Sequence, residues 1–248
     1  MFKRVVAIVV VVACTAGVVA YQATRPARAP ATPRVFVPSP RFFLDFSPSF
    51  RTSIADAYYL NMVQYYGEHA RGDGRFDSLP QMVDLVTRLS PHFARANIFG
   101  AFALIDAGRP DLSARVLRRA FSENPGDYRY PSYLGFFAYR YGKGKTKDVV
   151  AAHWYQKAAA IPGSPSYLTR LAAVLMGKGG ETQKAILMWG QVYSAGDKYA
   201  RQKAVVGLER ILPKEKQARM KAVAPLYGTM PKADFEALIA ELFKGYAP

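Results

Sequence analysis

The chain has 248 residues, half of them hydrophobic, with 15 Phe, 16 Tyr and the single cysteine Cys14. It is too apolar to be disordered and can form neither an intramolecular disulfide nor a cysteine-based metal site. Lys and Arg number 34 against 18 Asp and Glu, and this net +16 predicts attraction to anionic surfaces: lipid headgroups, acidic proteins or polyanions.

The first expected element is a membrane anchor or signal segment over residues 1–21. Lys3 and Arg4 precede VVAIVVVVACTAGVVAY, an uncharged run of 17 residues. Three readings stand: an uncleaved anchor at the short end of spanning length, a signal cut after Ala20, or a lipoprotein signal with Cys14 as the lipidation candidate. TAGVVA after Cys14 continues the apolar run where a lipidated cysteine would open a polar tether. The basic start favours a cytoplasmic N-terminus and an exported domain, although Arg25, Arg28 and Arg34 follow the run.

Residues 22–41 carry Pro26, Pro30, Pro33, Pro38 and Pro40, which fix backbone angles and remove amide donors, so a basic, extended, proline-rich linker is expected. With the six bases of the first 41 residues set aside, the remainder still carries about +10. That remainder contains no basic reading motif, so nucleic acid is not expected as a partner.

From Arg51 the apolar spacing turns helical: Ile54, Ala57, Tyr58, Met62 and Tyr65 or Tyr66 fall at steps of three and four, ending at Gly67 and RGDG. A second helix is expected from Asp77 and Ser78, with Pro80 in its first turn, stopping before Pro91. The next two run over 95–107 and 111–123, separated by Gly108-Arg109-Pro110 and closed by ENPGD. Pro91 and Pro125 stand 34 residues apart, and two helices per unit at that period mark a stacked array of repeats.

Three units follow a common pattern of small and large residues. The first places Ala101, Leu117, Ala120 and Pro125, with Ser113 where alanine is usual. The second places Leu134-Gly135, Ala151, Tyr155 and Ala158, with Pro162 one place early. The third places Ala173, Met176, Ala185, Trp189 and Val192, without a closing proline. In these residues the chain resembles the tetratricopeptide repeat family, over about residues 94–194 and more weakly back to residue 51. The resemblance implies an all-α fold of antiparallel helical hairpins, stacked as a short right-handed solenoid behind one N-terminal transmembrane or signal helix. The repeat domain is expected over 42–194 and capping helices over 195–248, the latter near 197–211, 213–225 and 232–244. The polar ERILPKEKQARMKA stretch suits a terminal cap.

In that family helix A of each unit lines a partner-binding groove. By position the resemblance implies Asn97, Phe102, Ile105, Arg129, Tyr133, Phe137, Arg140 and Arg170 as groove candidates. GKGKT at 142–146 lacks the upstream glycine of a phosphate loop, because Tyr139 stands in its place, and reads as a basic inter-helix loop carrying Lys143, Lys145 and Lys147. His69, His92 and His153 fall in three segments without metal-ligand spacing. No nucleophile motif or carboxylate pair with a recognisable partner is present. No catalysis, cofactor, metal or small-molecule substrate is therefore expected.

The expectation is an interaction scaffold of the bacterial inner membrane: single-pass, with its C-terminal domain on the periplasmic side, binding protein partners and supporting assembly or stability of a membrane or envelope complex. Two alternatives stand beside it. One is a constitutive structural subunit of a large membrane assembly, for which Ala13-x-x-x-Gly17 offers a small-residue packing face. The other is a binder of anionic envelope polymer or lipid, resting on charge alone.

Overall fold

The structure, a computed structural model, describes residues 14–17, 20, 36–195, 197–211, 233, 234, 237 and 241. The chain divides by its contacts into two units, Met1–Phe36 and Val37–Pro248. In the first unit residues 14–17 and 20 are helical and Cys14 is a free, exposed thiol; the rest of the expected anchor and nearly all of the expected linker lie outside the described residues. Among the described residues no helix is long and apolar enough to cross a membrane.

The second unit is all-helical among its described residues. After α1 (Pro40–Phe46) and a single 3-10 turn (Pro48–Phe50) come α2 (Arg51–Arg71), α3 (Leu79–Leu89), α4 (Ala94–Asp106), α5 (Pro110–Glu123) and α6 (Arg129–Tyr141). These are followed by α7 (Lys147–Ala159), α8 (Tyr167–Lys178), α9 (Thr182–Ala195) and α10 (Lys198–Ile211). The expected helices near 213–225 and 232–244 lie outside the described residues, apart from helical backbone at 233, 234, 237 and 241.

Local chemistry sets the boundaries. Proline occupies the first turn of α1, α3 and α5, where its missing amide hydrogen has no helical partner to lose. α4 stops at Gly108, whose φ of +71° is open to glycine at little cost; Gly108 N–H donates to the Ile105 carbonyl and Arg109 N–H to that of Leu104. Gly180, with φ +88°, closes α8 the same way through Glu181 N–H and Met176.

Two boundaries differ from the sequence expectation. α2 runs through Gly67 to Arg71, since glycine within a helix costs only about 1 kcal/mol and Gly67 is followed by good helix formers up to the true stop at Gly72. α1 begins at Pro40, inside the expected linker, because the Ser39 hydroxyl accepts from Arg41 N–H as an N-cap.

From α2 onward each helix packs chiefly on its neighbours along the chain, while α1 packs on α3, and α3 with α5 and α8 with α10 also touch. The core follows the chain as successive clusters: Ala55, Leu85 and Leu89 between α2 and α3; Ala101, Leu117, Tyr130 and Phe137 across α4 to α6; and Ala151 through Leu208 across α7 to α10. On α5 the buried residues Ser113, Val116, Leu117 and Ala120 fall at i, i+3, i+4 and i+7, one apolar stripe on an otherwise polar helix. Fully buried side chains such as Leu117 contribute roughly 1.5–3 kcal/mol each relative to exposure.

Small residues sit where helices meet. Ser113 Oγ donates to the Ala101 carbonyl at 2.8 Å, joining α5 to α4 within the first aligned unit. Two turns are also stitched together, for the Pro91 carbonyl accepts from Asn97 Nδ2 at 2.8 Å and from Asn124 Nδ2 at 3.1 Å.

Candidate partner-binding surface

The eight groove candidates divide by burial. Asn97, Ile105 and Phe137 lie in the core, at 1%, 9% and 5% exposure, which corrects their assignment to an open groove. Both donor contacts of the buried Asn97 amide are made within the fold: besides Pro91 it donates to the Tyr130 hydroxyl at 3.4 Å. Ile105 and Phe137 pack with Leu117 and Leu134.

Phe102 and Tyr133 reach the surface and meet there. The Phe102 ring makes edge contacts with Tyr133 and Phe137 at centroid distances of 5.2 and 5.1 Å, tying α4 to α6 while remaining 36% exposed. Sequence position missed Phe136 and Tyr141, which are exposed and meet Phe137 at 5.7 and 6.1 Å, and Tyr139, which is exposed on another face of α6. The signal was present in the run YLGFFAYRY, whose outward positions carry rings as large as the inward ones.

Cations stand beside two of the α6 rings. Arg140 lies 5.6 Å from the centre of Tyr141, while Lys147 and Lys178 stand 6.0 and 5.8 Å from the centre of Tyr139, a geometry in which ring and cation attract. Lys143 and Lys145 of the basic loop are exposed beside them in sequence. Arg129 is engaged elsewhere. It forks onto Asp127 at 2.9 and 2.7 Å, and those hydrogen bonds hold the Asp127 carboxyl below its usual range. Arg170 stands 5.3 Å from the centre of Tyr199 on α10, away from the α4–α6 aromatic cluster in sequence and in its contacts.

The chain matches no family model, no curated protein and no solved structure. What the surface can do is therefore read from its chemistry: exposed aromatic rings with cationic neighbours offer contact area at low entropic cost.

The three histidines stay apart. His69 Nδ1 pairs with Asp73 at 2.6 Å, His92 Nδ1 meets Asn124 Oδ1 at 2.6 Å, and the ring of His153 lies 6.3 Å from that of Trp154. Among the described residues no group of three or more His, Cys, Asp or Glu side chains could hold a metal ion.

Proposed function

We propose that this protein is a non-catalytic scaffold: a short right-handed solenoid of tetratricopeptide-like hairpins, held at a membrane by residues 1–21, that binds partner proteins and supports assembly of a membrane or envelope complex. The observation that carries the reading is the aromatic cluster where α4 meets α6, in which exposed Phe102, Phe136 and Tyr141 and half-buried Tyr133 gather around Phe137, with Arg140 beside Tyr141. Tyrosine and arginine are among the residue types that dominate binding energy at protein interfaces. The sequential packing of helices supports the solenoid, because each hairpin needs its neighbour to cover its apolar face. The membrane position rests on the 17-residue uncharged run behind Lys3 and Arg4.

The test is affinity purification of the full chain from solubilised native membranes, in low and high salt, beside a version lacking residues 1–21 and a Phe136→Ala variant. Partners kept by the truncated version but lost with Phe136→Ala place recognition on the α4–α6 surface. Partners that require residues 1–21 and ignore Phe136→Ala would favour a structural subunit held by its anchor, and no partner at all would end the scaffold reading.

A further inference from the structure

A second feature lies on a different part of the molecule from the aromatic patch. Between α3 and α5, floored by Leu104 of α4, is a cavity of about 440 Å³ whose wall carries four arginines: Arg88, Arg109, Arg115 and Arg119. Among the described residues two carboxylates answer them. Asp84 takes Arg88 Nε at 2.8 Å and Arg119 Nη1 at 3.1 Å, and Asp111 takes Arg109 Nε at 3.5 Å and Arg115 Nη2 at 3.2 Å. Each carboxylate is shared between two guanidiniums, so the site keeps a formal surplus of two positive charges. Each guanidinium has five N–H donors in a planar fork, and Arg109 and Arg115 commit few of theirs.

Arg119 is fixed from behind. It donates to Thr87 Oγ1, and Thr87 in turn donates to the Val83 carbonyl at 2.7 Å, which holds the guanidinium between α5 and α3 in advance of any ligand. The lower wall is apolar, formed by half-buried Leu112 over the buried Leu104 and Val116. Forks in pairs match carboxylates bidentately, and the apolar floor suits a side chain between them. An inorganic anion would leave that floor unused.

We propose that this cavity binds a short acidic peptide segment, with two carboxylate side chains on the arginines and an apolar side chain against Leu112. The inference deepens the scaffold reading and rests on it, adding a partner chemistry and a second contact surface.

The test uses the full chain in detergent and a fluorescent peptide of Glu-Leu-Glu repeats, followed by anisotropy, with the Gln-for-Glu peptide as control. The wild type should prefer the Glu peptide, with affinity falling steeply as salt rises. The double variant Arg109→Ala, Arg115→Ala should bind about tenfold more weakly or worse at unchanged melting temperature, because both side chains are largely exposed. Asp111→Asn removes a competing carboxylate and should tighten binding several-fold, an effect no purely structural role predicts.

Equal binding of the Glu and Gln peptides, an unaffected double variant, or displacement of the peptide by equimolar inorganic phosphate would each overturn the proposal. So would capture of phosphatidylglycerol vesicles with no binding of the peptide. Native partners that still co-purify with the double variant would leave the scaffold reading standing while removing this site from it.

Discussion

Gly135 of α6 lies directly against the ring of Tyr155 on α7: a β-carbon built at Gly135 would stand 3.0 Å from Cδ2 and 3.1 Å from Cε2 and Cγ of that ring. The sequence pattern expects these two residues at the small and large positions of the second aligned unit, and their contact sets how closely α6 and α7 approach. Gly135→Leu should lower stability by about 1–3 kcal/mol through overpacking, or about 2–4 °C in melting temperature for each kcal/mol. Gly135→Ala is the milder case, since a gain of about 1 kcal/mol in helix propensity opposes the clash. Thermal unfolding followed by circular dichroism decides it; an unchanged melting temperature for Gly135→Leu would refute the close crossing.

Ser113 stands where the repeat pattern has alanine, and its hydroxyl is satisfied by the Ala101 carbonyl at 2.8 Å. Ser113→Ala should cost no more than about 1 kcal/mol, since only one hydrogen bond is lost and the carbonyl keeps its place in α4. Ser113→Leu should cost about 1–3 kcal/mol, because the site is fully buried. Urea midpoints of the two variants should separate clearly.

Removing the amide of Asn97 leaves the Tyr130 hydroxyl buried without that partner and takes one of two donors from the Pro91 carbonyl. Asn97→Ala is expected to destabilise by about 1–3 kcal/mol. If Asn97 served the partner surface instead, the variant would lose partner binding at unchanged stability, so the two assays together separate the roles.

Burial pushes the Tyr155 hydroxyl up to about 12 from 10.0, and the hydrogen bond to Asp106, then burial, does the same for Tyr66. Both folded values exceed the unfolded value, so the neutral phenols favour the folded state. That contribution is fully present below pH 10 and is lost as pH rises through about 12. Melting temperature should therefore fall across this window, and less steeply in Tyr155→Phe than in the wild type. Parallel alkaline slopes would show that Tyr155 does not carry the effect.

Most of the helical layout was legible because its punctuation is covalent. Pro80, Pro110 and Gly108 act through fixed or unusual backbone angles that need no tertiary partner, and the helices beside them begin and end where the sequence places them. Gly67 misled because glycine only weakens a helix, whereas Pro40 misled because the same ring that stiffens an extended linker also fits the first turn of a helix.

The candidate surface was less legible for a different reason. Asn97 looks like a groove residue by type and position, but its partners Pro91 and Tyr130 come from other segments. The arginine cavity was invisible for the same cause: the pairs Asp84 with Arg88 and Asp111 with Arg115 read as ordinary helix-surface neighbours four residues apart. Only folding brings Arg119 to Asp84, 35 residues away in the chain.

The sequential packing of the helices has a consequence for how the molecule is made. Because from α2 onward the helices pack mainly on their neighbours along the chain, closing a hairpin requires only a short loop, and its entropy is small. A pair such as α2 and α3 can form while the residues after Leu89 are still unsynthesised. Contacts this local favour fast folding. The polypeptide can thus acquire its core one hairpin at a time as it emerges from the ribosome, each new pair docking on a surface that the previous pair has already ordered.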